Sequence, residues 1–217
     1  MRYGSAAAGR RLTRWVLGIV TLAGPVVLLP TVGSAHPASG QLVREPKYGF
    51  TLRLPAQWNP IPLDGSDITS LLNTATHDDP SLTNALDTQV KSATAQGIKV
   101  FAVGPLAGTF VPNVNVIMQS SAVVPGGKGA FLGSVTVQAK ISLGEAGIKK
   151  IRSTTVHDAM GSVVQVSYTL PLKTGDAQGV QIYAEHGSRL AIMTVTTSNS
   201  GQSLSLARAI AGSWRWT

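Results

Sequence analysis

The sequence predicts a single α+β domain, rich in antiparallel strands, behind an export segment. Three observations lead there. The chain has 217 residues, enough for one sizeable core and few for two independent ones. Its later part is a series of segments with alternating apolar side chains, two of them joined by His186-Gly187-Ser188, which reads as a hairpin turn. Three further stretches carry apolar residues at spacings of three and four, the mark of helices with one face on a core. Only 13% of residues are charged while 43% are hydrophobic, and 23 Gly and 12 Pro punctuate the chain; this excludes a coiled coil or a charged disordered tail. Cysteine is absent, which excludes a disulfide scaffold, a thiolate metal site and a cysteine nucleophile.

Arg2, Arg10, Arg11 and Arg14 precede a stretch from Trp15 to Val32 without a charged side chain. A basic segment, then an apolar one closing on Gly33-Ser34-Ala35, is the layout of a secretory signal whose small residues fit the peptidase. Cleavage after Ala35 is expected, giving a signal peptide over 1–35, a flexible linker over 36–42 and a domain over 43–217. Pro25 and Pro30 interrupt the apolar stretch, as suits a transient signal. The alternative is retention of residues 15–33 as a membrane anchor, for which the length is about sufficient. Arg10-Arg11 lacks the apolar pair that follows in twin-arginine signals, and a lipoprotein anchor would need a cysteine. The chain has 18 Lys plus Arg against 10 Asp plus Glu; less the four signal arginines, 14 basic residues remain, a net +4. That modest charge argues against a nucleic-acid partner. Lys149-Lys150-Arg152 is the densest cluster left, with Lys150 and Arg152 opposite Lys149 on a strand. A solvated surface accounts for it; an anionic envelope polymer or lipid headgroup is the competing reading.

From Val43 the elements follow in order. Phe50, Leu52 and Leu54 alternate with Thr51 and Arg53, predicting a strand that Pro55 ends and beyond which Trp58 caps the core edge. Ser66 as N-cap, with Ile68, Leu71, Leu72 and Ala75, predicts a first helix. Asp79 as cap, Pro80 as first helical residue and the stripe Leu82, Leu86, Val90, Ala93 predict a second, stopped by Gly97. Strands are expected over 98–103 and 114–123. The segment from Gly129 to Gly147 reads two ways: Val135, Val137, Ala139, Ile141 and Leu143 alternate as in a strand, whereas Leu132, Val135, Ala139, Leu143 and Ala146 are spaced as in a helix. Periodicity alone favours the strand. Strands over 148–156, 162–170, 179–185 and 189–197 follow. Ser203 as cap, with Ala207, Ile210 and Trp214, predicts a last helix ended by Gly212.

Three motifs form a set: Tyr48-Gly49-Phe50-x-Leu52-x-Leu54-Pro55-x-x-Trp58, the hairpin from Gln181-Ile182-Tyr183 to Leu190-Ala191-Ile192, and the closing Ile210-Ala211-Gly212-Ser213-Trp214. Over residues 43–216 the chain thereby resembles the PsbP-like superfamily. That superfamily also holds the Ran nucleotide-release factor Mog and a secreted bacterial branch of the LpqN and DcrB type. The resemblance implies an α/β/α sandwich around a mainly antiparallel sheet, with helices on both faces and a helix over 129–146. It also implies a protein-binding or assembly role, and it brings no catalytic motif. The cysteine by which secreted relatives are often lipid-anchored is missing here.

Candidate chemistry is sparse. His77-Asp78-Asp79 offers ligands for a hard cation at a helix junction, although a turn and an N-cap explain the same residues. His36, once freed as the amino terminus, would chelate copper through its α-amino group and Nδ1. His157-Asp158 and Glu185-His186 suit solvated turns. An envelope hydrolase or metal-dependent enzyme using His77, His157 or His186 is an alternative function, yet no G-x-S-x-G elbow occurs. Gly126-Gly127-Lys128-Gly129 lacks the spacing of a phosphate loop. Trp214-Arg215-Trp216 places one indole in the core and leaves Arg215 and Trp216, with Trp58, as a ligand or partner surface. The expectation is a secreted, non-enzymatic binding or assembly module of the cell envelope, with an envelope protein or ligand as partner and no cofactor. A carrier of an apolar ligand is a further alternative. N-terminal sequencing of the exported protein is expected to read His36 first; material still beginning at Met1 would identify the retained anchor.

Overall fold

The structure is a computed structural model that describes residues 40–63, 80–105, 110–120, 127–172 and 175–217. Strands β1 (Gln41–Glu45) and β2 (Phe50–Leu54) are joined by a 3-10 turn, Pro46–Tyr48, and by Gly49 in the left-handed region at φ 71°. Then come β3 (Asn59–Pro60), α1 (Pro80–Ala95), β4 (Ile98–Val103), β5 (Asn113–Ser120), α2 (Gly127–Glu145) and β6 (Lys149–Asp158). The chain ends with β7 (Gly161–Leu172), β8 (Gly175–His186), β9 (Arg189–Thr197), α3 (Ser200–Ser213) and β10 (Arg215–Trp216). Seven strands build one antiparallel sheet in the order β3-β4-β5-β9-β8-β7-β6, and β1-β2-β10 form a small second sheet.

Both faces of the large sheet are apolar, so both must be covered. In β4, Phe101 and Val103 join a core with Val90 and Ala93 of α1 and Ala139 and Leu143 of α2. Val100 and Ala102 point the other way, into a core with Ala207, Ile210 and Ala211 of α3 and Phe50, Leu52 and Leu54 of β2. The result is the α/β/α sandwich expected from the resemblance. Trp214 closes the second core. It is fully buried and stacks on Phe50 with ring centroids 4.3 Å apart.

Several local expectations are corrected. Gln41 and Leu42, assigned to the linker, pair with Leu54 and Arg53; β1 is an edge strand whose partner supplies the core side chains, so it needs no apolar alternation of its own. Residues 135–143 are helical, as the resemblance implied and against their alternation, because Val137 and Ile141 are 58% and 49% exposed on the outer side of α2 while Ala139 and Leu143 are buried. The N-cap of α3 is Asn199 rather than Ser203, its side chain accepting from the N–H groups of Gly201 at 2.8 Å and Gln202 at 3.2 Å. Ser203 lies buried one turn inside, its Oγ donating to the Ser200 carbonyl at 3.0 Å. Gly212 is helical, and Trp214 is the C-cap. The signal segment 1–35 and the helix at 68–75 lie outside the described residues.

Trp214→Ala removes a fully buried indole and its stack on Phe50. It is expected to destabilise the domain by about 3–5 kcal/mol in urea unfolding; a loss below about 1 kcal/mol would show that the small sheet does not depend on this ring.

Candidate functional site

One end of the large sheet gathers four pieces of chain around Trp216. The antiparallel registers bring the β6–β7 turn beside the β8–β9 turn, since His157 pairs with Ser162 and Val163 with Ala184. Strand β10 lays Trp216 opposite Phe50, next to both turns. The half-buried indole donates its Nε1–H to the Met160 carbonyl at 3.3 Å. The His186 ring stacks on one side of it, with centroids 4.8 Å apart and planes 12° apart. Trp214 meets it edge-on at 5.2 Å.

Arg189 ties this cluster to the start of the domain. Its guanidinium lies 5.6 Å from the Trp216 ring, and its Nη1 donates to the Tyr48 carbonyl at 3.0 Å. The same carbonyl end is closed by the Thr217 N–H, which donates to the Gly49 carbonyl at 3.0 Å. Gly49 cannot be replaced without strain: a Cβ there would collide with Arg189 Nη1, and the backbone has a positive φ. Beyond it, the Tyr48 ring carries Lys99 Nζ at 4.8 Å and Lys47 Nζ at 5.8 Å, within cation–π range. Arg215 is exposed, and its Nη1 donates to the carbonyls of Trp214 at 2.6 Å and Gly212 at 3.2 Å, capping the end of α3.

Beside Tyr48 is an open groove of about 390 Å³, lined by Val43, Glu45, Ile61, Leu63, Lys99 and Phe101 among others. Partial burial raises the Glu45 carboxyl above its ordinary range, a rise that the charge of Lys99 opposes. The end of the sheet therefore presents aromatic rings and cations whose positions are set by backbone hydrogen bonds. Such an arrangement offers rings and cations held in fixed positions at one end of the sheet.

The expected site residues are distributed as follows. Trp216 and Arg215 lie at this end. Trp58 does not serve a surface: it is 5% exposed, and a Cβ on Gly104 would run into its ring, so the indole is part of the second core. His36, His77, Asp78 and Asp79 lie outside the described residues. Among the described residues no three His, Asp or Glu side chains form a metal-binding group. His157 meets Ser162, with Oγ and Nδ1 2.9 Å apart, but the pair is solvent-facing. Its neighbour Asp158 turns away to accept from the Met160 N–H at 2.8 Å, so the carboxylate orients the turn rather than the imidazole. Partial burial raises the Asp158 carboxyl, against the lowering effects of that N–H and of His157. The parts of His186 and Arg189 were not visible in the sequence, because they depend on how the small sheet packs against the β8–β9 hairpin; the only signal was their place at a hairpin tip.

No protein-family model matches the chain, and no curated protein matches it by sequence. Among solved structures it is similar to the solution structure of cyanobacterial PsbP (CyanoP) from Synechocystis sp. PCC 6803, with a TM-score of 0.54 and 13% identity over 87% of this chain and 99% of that one. The fold is thus PsbP-like; at such identity the likeness is one of fold alone. Looser overlaps occur with LpqN of Mycobacterium tuberculosis, described as involved in cell envelope biogenesis (TM-score 0.47, 10% identity, 84% and 87% coverage), and with a Bacteroides thetaiotaomicron protein (0.46, 10%, 82% and 48%). These two are too loose to bear on fold or function. No helix among the described residues is long and apolar enough to cross a membrane.

Proposed function

We propose that this chain is a secreted, non-enzymatic binding or assembly module of the cell envelope, which docks a protein partner against the Trp216 end of its sheet. The observation that carries this reading is the half-exposed indole of Trp216, stacked with His186, within cation–π range of Arg189 and anchored through its N–H to Met160. Tryptophan and arginine dominate binding hot spots because they combine large contact area with hydrogen bonding. Fixing them before the encounter lowers the entropy lost on association. The nearby cations Lys47 and Lys99 on Tyr48 extend the same surface and favour a partner with acidic groups around an apolar contact. Export of the chain is supported by the basic-then-apolar layout of residues 1–35. Contact with the membrane would follow only if that segment stays attached.

The test is photocrosslinking from Lys47 in the full chain, incubated with envelope fractions. One dominant protein adduct is expected. Its yield should fall about tenfold or more in Trp216→Ala, while Val137→Ala on the outer face of α2 leaves it unchanged. Turnover of an envelope substrate without any adduct, or a yield indifferent to Trp216→Ala, would overturn the reading.

A further inference from the structure

At the opposite end of the large sheet, where β9 runs into α3, a cleft of about 600 Å³ lies between the start of the helix and strands β6, β7 and β8. Its lining includes Lys150 and Arg152 of β6, Ser167 and Thr169 of β7, Gln178 of β8, and Ser200. No acidic side chain lines it. Neither cation has an ion-pair partner among the described residues, where the single ion pair is Lys91 with Asp87.

Lys150 and Arg152, two residues apart on β6, share one face of the strand and line this cleft, next to a bulge. Lys149 pairs with Thr169, but the next paired residue is Arg152, opposite Ser167. Lys150, inside the bulge, has φ 53°, the sole positive value among described non-glycine residues. Ile151 packs against the core under α1 and α2, while the side chains on either side of it line the cleft. Across the cleft, Thr169 Oγ1 donates to Gln178 Oε1 at 3.0 Å, so the amide nitrogen of Gln178 is left as a donor. The helix itself contributes little direct bonding, since Asn199 already accepts from Gly201 and Gln202; its positive end adds only to the local field.

We infer that this cleft is a binding site for a phosphate group carried on a larger molecule. Lys150 and Arg152 are solvent-exposed and without a counter-charge, so both are free to pair with an anion, and the arginine fork matches phosphate oxygens. Ser167, Gln178 and Ser200, from three different elements, add hydroxyl and amide donors to the same cleft. That suits a tetrahedral oxyanion, whose oxygens point in different directions, better than a planar carboxylate. The volume is that of an organic ligand and exceeds the needs of a bare ion. The site is at the far end of β9 from Trp216, so it does not rest on the docking reading above.

The test is a titration of the full chain with glycerol 3-phosphate, followed by the backbone amide signals of Ser198 to Gly201, alongside sedimentation with vesicles of phosphatidylglycerol or of phosphatidylcholine. Saturable binding of the soluble ester assigns a free or polymer-borne phosphate. Binding restricted to phosphatidylglycerol vesicles assigns a lipid headgroup. In either case the double variant Lys150→Ala, Arg152→Ala is expected to weaken binding about tenfold or more, with Lys140→Ala, an exposed cation on α2, unchanged. Absence of saturable binding in both arms, or binding that the double variant shares with the parent within about twofold, would overturn the inference.

Discussion

A sheet whose central strands are apolar on both faces cannot stand against water, and the rest of this molecule follows from that constraint. Strand β9 is the sharpest case: Ile192 faces the core under α1 and α2, while Ala191, Met193 and Val195 face the core under α3. Its neighbour β8 divides Tyr183 from Val180 and Ile182 in the same manner. One helical layer would leave half of these side chains wet. The sequence meets the need with α1 and α2 on one side. On the other, α3 and the small sheet share the task, and the stack of Trp214 on Phe50 seals the joint between them.

With both faces covered, what remains for recognition is the two ends of the sheet and its edges. The Trp216 end is built where two hairpin turns meet the turn at Pro46–Tyr48 and strand β10, so its geometry is set by hydrogen bonds to backbone carbonyls of Tyr48 and Met160. The other end is a cleft lined by cations and neutral donors. An aromatic platform suits a partner surface, and a cleft without acids suits an anion. The two are physically separate, so the two proposals stand or fall independently.

How far the sequence revealed this depended on whether a signal was local. Strands β4 and β9 were legible to the residue, since segments rich in apolar and β-branched residues between polar turns leave little choice. Pro80 and Gly97 likewise marked the ends of α1 through backbone properties alone. α2 was not legible from periodicity: two β-branched residues on its solvent side, Val137 and Ile141, completed a false alternation with the buried set. The N-cap of α3 was misplaced by a turn because Ser203 and Asn199 are both competent caps. Trp216 was noticed, but its clamp by His186 and Arg189 comes from a hairpin brought alongside by register. Arg152 and Lys150 could be counted from the sequence, but that both line one cleft with Gln178 and Ser200 depends on strand order and on the position of α3.

Two-sided cover predicts a gradient of protection across the large sheet, and native-state hydrogen exchange reads it directly. Amides of β8 and β9, such as Ile182 and Met193, should exchange only through global unfolding, slower by about two orders of magnitude or more than those of the edge strand β6, such as Thr154 and Thr155. Equal rates in β9 and β6 would contradict the account, because a centre that opens as readily as an edge is not held by cores on both faces.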